Sequence, residues 1–144
     1  MVDRTLILRK LANLDEYRKQ LDEYAEISTE DYEENWKTQR IVDRTLQISI
    51  ETCLDIAGHI ISDEELRAPE SYGDMFKILA DSNILENSLF NSLAKMTKFR
   101  NVIVHQYEKV DPEIVIGILR KNLNDFALFK GAIVRYLKTQ EDDK

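Results

Sequence analysis

Cysteine, proline, glycine and histidine are all scarce in this chain of 144 residues, with one, two, four and two copies respectively. A single thiol, Cys53, excludes an intramolecular disulfide. Its place among apolar positions of a helical pattern makes it a buried thiol, compatible with a reducing cytoplasm. With so little glycine and proline there are few turn signals, and 43% hydrophobic with 33% charged residues predicts an all-α fold. Long apolar runs are missing too: nothing approaches the roughly 20 residues of a membrane span, and Met1–Lys10 interleaves Asp3, Arg4, Arg9 and Lys10 with short apolar stretches, unlike a signal peptide. The expectation is a cytoplasmic protein without membrane contact. Cations are also in deficit. A net charge of -7 argues against a general nucleic-acid binder, since non-specific affinity comes from neutralising phosphates with Lys and Arg. The deficit is uneven, however: Lys95, Lys98, Arg100 and Lys109 stand against Glu108 alone over residues 95–109, a local +3 that leaves -10 for the rest.

What the chain does have is helical periodicity. Ile7, Leu11, Leu14, Tyr17, Leu21 and Tyr24 recur at steps of three and four and define a first helix with one apolar face. Capping residues at Ile27-Ser28-Thr29-Glu30 precede a second helix carrying Val42, Leu46, Ile50, Cys53, Ala57 and Ile60 and running to about Ile61. Ser62 to Ser71, with Pro69 and the acidic Asp63, Glu64 and Glu65, reads as an exposed connection. A short helix over Tyr72–Ala80 ends at Asp81-Ser82-Asn83, where Asn83 suits the left-handed conformation of a helix stop. Leu85, Leu89, Leu93, Met96, Phe99 and Ile103 give a fourth helix. Asp111-Pro112, an N-cap followed by proline at the first helical position, restarts the chain as a last helix through Leu137, and the tail Glu141–Lys144 is expected to fray. The expected architecture is one domain over residues 1–144: an up-and-down bundle of four long helices and one short one.

The run Arg100-Asn101-Val102-Ile103-Val104-His105-Gln106-Tyr107 at the end of the fourth helix concentrates the chemistry. It holds a fixed cation, an amide, an imidazole that titrates near neutrality and a phenol. Arg pairs with phosphate in bidentate fashion and His exchanges a proton at cellular pH, so the group suits a phosphodiester. The bland reading is that Arg100 and His105 complement the helix dipole while Tyr107 caps the core. Geometry weighs against it. At about 100° per residue Arg100 and Tyr107 share one face and Asn101 and His105 a neighbouring one, so the four cover roughly 160° of helix surface, too broad for a core stripe.

Two further groups compete for attention. Glu51, Asp55 and His59 lie at steps of four on the second helix with Arg44 on the same stripe, a spacing that suits either a divalent ion or a solvated, internally paired face. The second is favoured, because no other helix offers a matching Glu-x-x-His. Tyr24, Tyr32, Trp36 and Tyr72 suit base stacking or packing, and packing in core or interface is favoured because they are not interleaved with basic residues. Neither a cofactor nor a metal site is expected.

Phe99-Arg100-Asn101 through His105-Gln106-Tyr107 and on to Val110-Asp111-Pro112-Glu113-Ile114-Val115 resembles the HepT family of the HEPN superfamily, whose members carry Arg-x-x-x-x-His-x-Tyr. The likeness takes in Asp43-Arg44-Thr45-Leu46-Gln47, Ile50-Glu51, Asp55-Ile56-Ala57-Gly58-His59 and Ser71-Tyr72-Gly73-Asp74-Met75-Phe76, and so covers most of residues 35–120. It departs from the pattern at Lys98 and at Asn83, where relatives often have glycine. The resemblance implies a metal-independent HEPN ribonuclease toxin, homodimeric, with its RNA-cleaving cleft at the dimer interface. It also implies an MntA-type nucleotidyltransferase antitoxin that adenylylates the motif tyrosine, here Tyr107.

Cleaving RNA without metal needs a base for the 2′-hydroxyl, an acid for the leaving oxygen and a cation for the developing phosphorane charge. One His cannot be acid and base at once, but a two-fold dimer brings two copies of His105 and Arg100 into one cleft. Arg100 is then the phosphate clamp, His105 the proton-transfer group, and Asn101 the residue that orients His105 or holds a phosphate oxygen. Glu51, Asp55 and Lys98 are the supporting residues: the polar stripe resembles the family's second helix, which implies that Glu51 or Asp55 bridges to Arg100 and fixes its direction. The alternative is a non-catalytic HEPN module that binds nucleotide or substrate for a nucleotidyltransferase.

Overall fold

Side chains close the free backbone N–H groups at most helix starts. The computed structural model describes residues 2–105 and 110–142, and within them Asp3 accepts from the Leu6 N–H at 3.1 Å and opens α1 (Arg4–Asp22). Ser28 accepts from Asp31 at 3.0 Å and opens α2 (Thr29–Glu34). Asn35 accepts from both Lys37 and Thr38 at 3.1 and 3.2 Å and opens α3 (Trp36–Asp63). Ser71 accepts from Asp74 at 3.0 Å ahead of α4 (Tyr72–Asp81), and α5 (Asn87–His105) follows. Asp111 caps α6 (Pro112–Lys121) through Glu113 at 3.0 Å with Pro112 at its start, as the sequence predicts, and α7 (Asn124–Asp142) ends the described chain.

Helix ends follow the same local logic. Asn83 has a φ of 62° and the Ile84 N–H reaches back to the Leu79 carbonyl at 2.9 Å, so the stop expected at Asn83 is present. At the end of α3 Glu65 takes the left-handed conformation, φ 53°, with Leu66 bonded to Ile61 in the same pattern. No sequence signal marks Glu65, because residues of its type seldom occupy that region.

The fold is all-helical among the described residues, but its count corrects the expectation. Four long helices, α1, α3, α5 and α7, are joined by three short ones instead of one. The expected second helix is divided at Asn35, whose extended backbone interrupts it after Glu34. The expected last helix breaks after Lys121, where Asn122 turns its amide to the Asp125 carboxylate at 3.0 Å while the Asp125 N–H bonds the Asn122 carbonyl. The apolar phase runs through that break undisturbed, since Leu119, Leu123 and Phe126 are all buried, and so periodicity alone reads it as continuous helix.

α3 is the spine of the molecule, touching α1, α2, α4, α5 and α7, while α1 also meets α7, and α5 meets α4 and α7. The core faces read from the sequence are the observed ones: Val42, Leu46, Ile50, Cys53, Ala57 and Ile60 are all buried, and burial pushes the Cys53 thiol up, keeping it protonated. Tyr32 is buried, as packing would have it, and donates to Asp43 at 2.6 Å. Of the core or interface packing expected for Trp36, the core is excluded: it is 61% exposed, with the Lys37 ammonium and Arg40 guanidinium 5.7 and 5.3 Å from its ring centre. Among the described residues no helix is long and apolar enough to cross a membrane.

The start of α4 makes a pH prediction. Asp74 accepts two bonds from Arg67, at 2.6 and 2.8 Å, and a third from the Glu70 N–H at 2.9 Å, which together hold its carboxyl well below the usual carboxylate range. A carboxylate depressed on folding adds stability above its unfolded pKa of about 3.9 and loses that contribution as pH falls further. Asp74→Asn is therefore expected to melt below the parent at neutral pH, the gap closing below about pH 4. Parallel thermal melts across pH check this; a constant gap would sink the assignment.

Candidate functional site

α3, α4 and α5 enclose a groove of about 510 Å³, floored by Leu54, Gly58 and Met75 and flanked by Glu51, Tyr72 and Arg100. α3 exposes one residue per turn here, so Glu51, Asp55 and His59 form its polar edge. Arg100 enters from α5 with only 14% of its side chain exposed.

Three residues hold the Arg100 guanidinium. Its Nε donates to Glu51 Oε1 at 3.0 Å, and Nη2 lies 3.0 Å from the same carboxylate. Its Nη1 donates to Asn101 Oδ1 at 3.2 Å, and its carbon sits 5.0 Å from the centre of the Tyr72 ring, a cation–π distance. Gln47 anchors Glu51 in turn, donating to Oε1 at 3.0 Å. Of the five N–H groups of a guanidinium, at least one on Nη1 and one on Nη2 are left over by these contacts.

The expected bridge from the α3 stripe thus forms with Glu51. Asp55 turns away, pairing with Lys10 of α1 and lying 3.7 Å from His59 Nε2. Among the described residues no group of three or more His, Cys, Asp or Glu is arranged to hold a metal ion. Asn101 faces Arg100 with its carbonyl oxygen. His105 is exposed in the last turn of α5, and Lys98 is exposed two residues before Arg100. Tyr107 lies outside the described residues.

Two features of the groove have little trace in the sequence. Tyr72, assigned there to packing, stays 45% exposed and stacks with Arg100, 28 positions away in the chain. Gln47 sits four residues before Glu51, the one local hint of its role.

The match to known proteins extends well beyond this motif. Residues 14–133 match the family described as Ribonuclease HepT-like. The chain belongs to the HepT-like family. As a member it is classed with the ribonucleases. The chain is 32% identical over 125 residues to the mRNA nuclease HepT of Shewanella oneidensis, covering 86% of this chain and 92% of that protein. It is 29% identical over 144 residues to the tRNA nuclease HepT of Aphanizomenon flos-aquae, covering 99% and 97%. Its fold superposes with a TM-score of 0.82 and 30% identity on a tri-AMPylated Shewanella oneidensis HEPN toxin solved in complex with an MNT antitoxin, across 94% of this HepT-like chain and 99% of that one.

Proposed function

We propose that this chain is the endoribonuclease toxin of a toxin–antitoxin pair, a single cytoplasmic HEPN domain that cleaves RNA without a metal ion in a cleft shared by two copies. A cognate MntA-type nucleotidyltransferase would silence it by adenylylating Tyr107. The observation that carries this reading is the state of Arg100: a guanidinium fixed by Glu51, Asn101 and Tyr72, with donors left over among the described residues beside an open groove, on the helix that ends in His105.

A preoriented Arg presents its remaining N–H groups to phosphate without first losing rotamer freedom, so it stabilises charge developing on a phosphorane. Asn101 acts here as a positioning residue for Arg100, and Glu51 does the same from α3. One copy of His105 takes the proton of the 2′-hydroxyl, while the other copy gives a proton of its own to the leaving oxygen. The attacking 2′-oxygen forms the new P–O bond as the 5′-oxygen leaves, giving a cyclic phosphate and a free hydroxyl. Asp55 and Lys98 stand further out, Asp55 paired with Lys10 near His59 and Lys98 adding positive charge before the motif. An adenylyl group on Tyr107 places a phosphate beside the same cation and fills the cleft.

The test is to incubate unmodified protein, checked by intact mass, with a mixed RNA pool in excess chelator. The expected result is cleavage, which stops once a nucleotidyltransferase and ATP have added one or more adenylyl units at Tyr107. A folded, dimeric and unmodified protein that leaves RNA intact would instead support a nucleotide-binding module without catalysis.

A further inference from the structure

The groove beside Arg100 holds more than a phosphate clamp requires. Glu51 and Asp55 would repel a strand if they were free, but each is matched by a cation, Arg100 for Glu51 and Lys10 for Asp55, so the groove presents polar edges without net repulsion. His59 and Ser62 add polar atoms able to donate or accept along the same wall. The floor is apolar and closely packed: Gly58 adds no side chain to it, and a Cβ there would come within 3.3 Å of the Met75 methyl. Tyr72 adds a half-exposed aromatic ring at the rim.

An apolar floor, an accessible aromatic ring and a mixed donor–acceptor edge describe a receptor for a flat heterocycle with polar edges. An extended hydrocarbon would leave the edges unpaired, and a bare phosphate would leave the floor and ring unused. A volume of about 510 Å³ accommodates a base with its ribose.

We propose that this groove is a nucleobase subsite, in which a base of the RNA strand next to the phosphate held by Arg100 stacks on Tyr72 and meets the Asp55–His59 edge. The proposal rests on the ribonuclease reading for the identity of the strand, but the groove's preference for a base is separable from cleavage. Tyr72 then has two roles, steadying the Arg100 guanidinium and receiving a base, and the ring is what both require. Base–aromatic stacking tolerates any sequence, whereas His59 and Asp55 bias the choice of base, so the subsite sets which residue flanks the cut.

The experiment measures affinity of the full-length protein for an uncleavable 2′-fluoro oligonucleotide of mixed sequence, and for the same backbone carrying abasic units. Parent, Tyr72→Phe and Tyr72→Leu are compared, each confirmed folded by circular dichroism, with RNA cleavage recorded in parallel. The parent and Tyr72→Phe are expected to prefer the base-bearing strand, and Tyr72→Leu to lose on the order of tenfold of that preference, on top of a smaller loss common to both strands from the weakened hold on Arg100. His59→Ala is expected to change the base found beside the cut more than the overall rate. Equal loss on both strands would show that Tyr72 serves only to hold Arg100, and would overturn the proposal. A Tyr72→Leu protein that loses its dimer by native mass spectrometry while keeping the base preference would make the groove a protein interface, which also overturns it. If the parent binds with base preference yet cuts no RNA, the subsite stands and the nuclease reading falls. If the parent cuts RNA with no base preference, the nuclease stands and the subsite falls.

Discussion

His105→Ala is expected to lower the rate of RNA cleavage by about 100-fold or more and to leave the fold unchanged. The size follows from the ordinary contribution of a positioned general acid or base, about 10²- to 10⁴-fold. In a two-fold cleft the substitution removes both acid and base, which places the expected loss toward the upper end. The fold should survive because His105 is exposed in the last turn of α5, and exposed substitutions usually change stability by no more than about 0.5 kcal/mol, with up to about 1 kcal/mol for lost interaction with the helix dipole. Single-turnover cleavage of a defined RNA by parent and variant, prepared identically and melted side by side, decides the matter. An unchanged rate would remove His105 from the chemistry and with it the catalytic reading of the motif.

The largest expected effect on stability lies elsewhere in the molecule. Phe129 on α7 is fully buried and meets Phe76 of α4 edge to face, with ring centroids 6.1 Å apart and planes 78° to one another. That contact ties the short helix carrying Tyr72 to the last long helix. Truncating a buried Phe removes its transfer free energy and leaves a cavity, for a cost of about 3–5 kcal/mol. Set against a typical total of about 5–15 kcal/mol, Phe129→Ala should bring the domain close to unfolding at physiological temperature. Denaturant titration of parent and variant measures it directly; a loss below about 1 kcal/mol would mean that α4 and α7 are not coupled through this pair.

The two effects differ in how well the sequence foretold them. Phe129 falls on a stripe with Phe126, Ile133 and Leu137, and any residue on such a stripe is legible as core because burial repeats with the helical period. His105 was singled out for another reason: Arg100, Asn101 and His105 lie within six residues of one another, so their neighbourhood on α5 follows from local spacing. Where an expectation failed, the cause was local as well. Asn122 and Asn35 break helices by turning side chains to the backbone or to a neighbour while the apolar phase continues, so periodicity had nothing to report. Trp36 was assigned to core or interface packing because it is not interleaved with basic residues, yet Lys37 and Arg40 both reach its exposed ring from the first turns of α3.

By itself, then, the sequence determined the four long helices and the short α4, the caps around Ser28, Asn83 and Asp111, the faces that pack and the Arg-x-x-x-x-His run, because each depends on residues within about one or two turns of one another. Tertiary structure decided which carboxylate holds Arg100. Glu51 and Asp55 are one turn apart on the same stripe and equivalent in any local reading. Arg100 pairs with Glu51, 49 residues away, because the rotation and axial offset of α5 against α3 bring that turn opposite it. The same packing set Tyr72 against the guanidinium and opened the groove between three helices. Rotation and offset are properties of how side-chain ridges on two helices interlock, and no repeat within either helix encodes them.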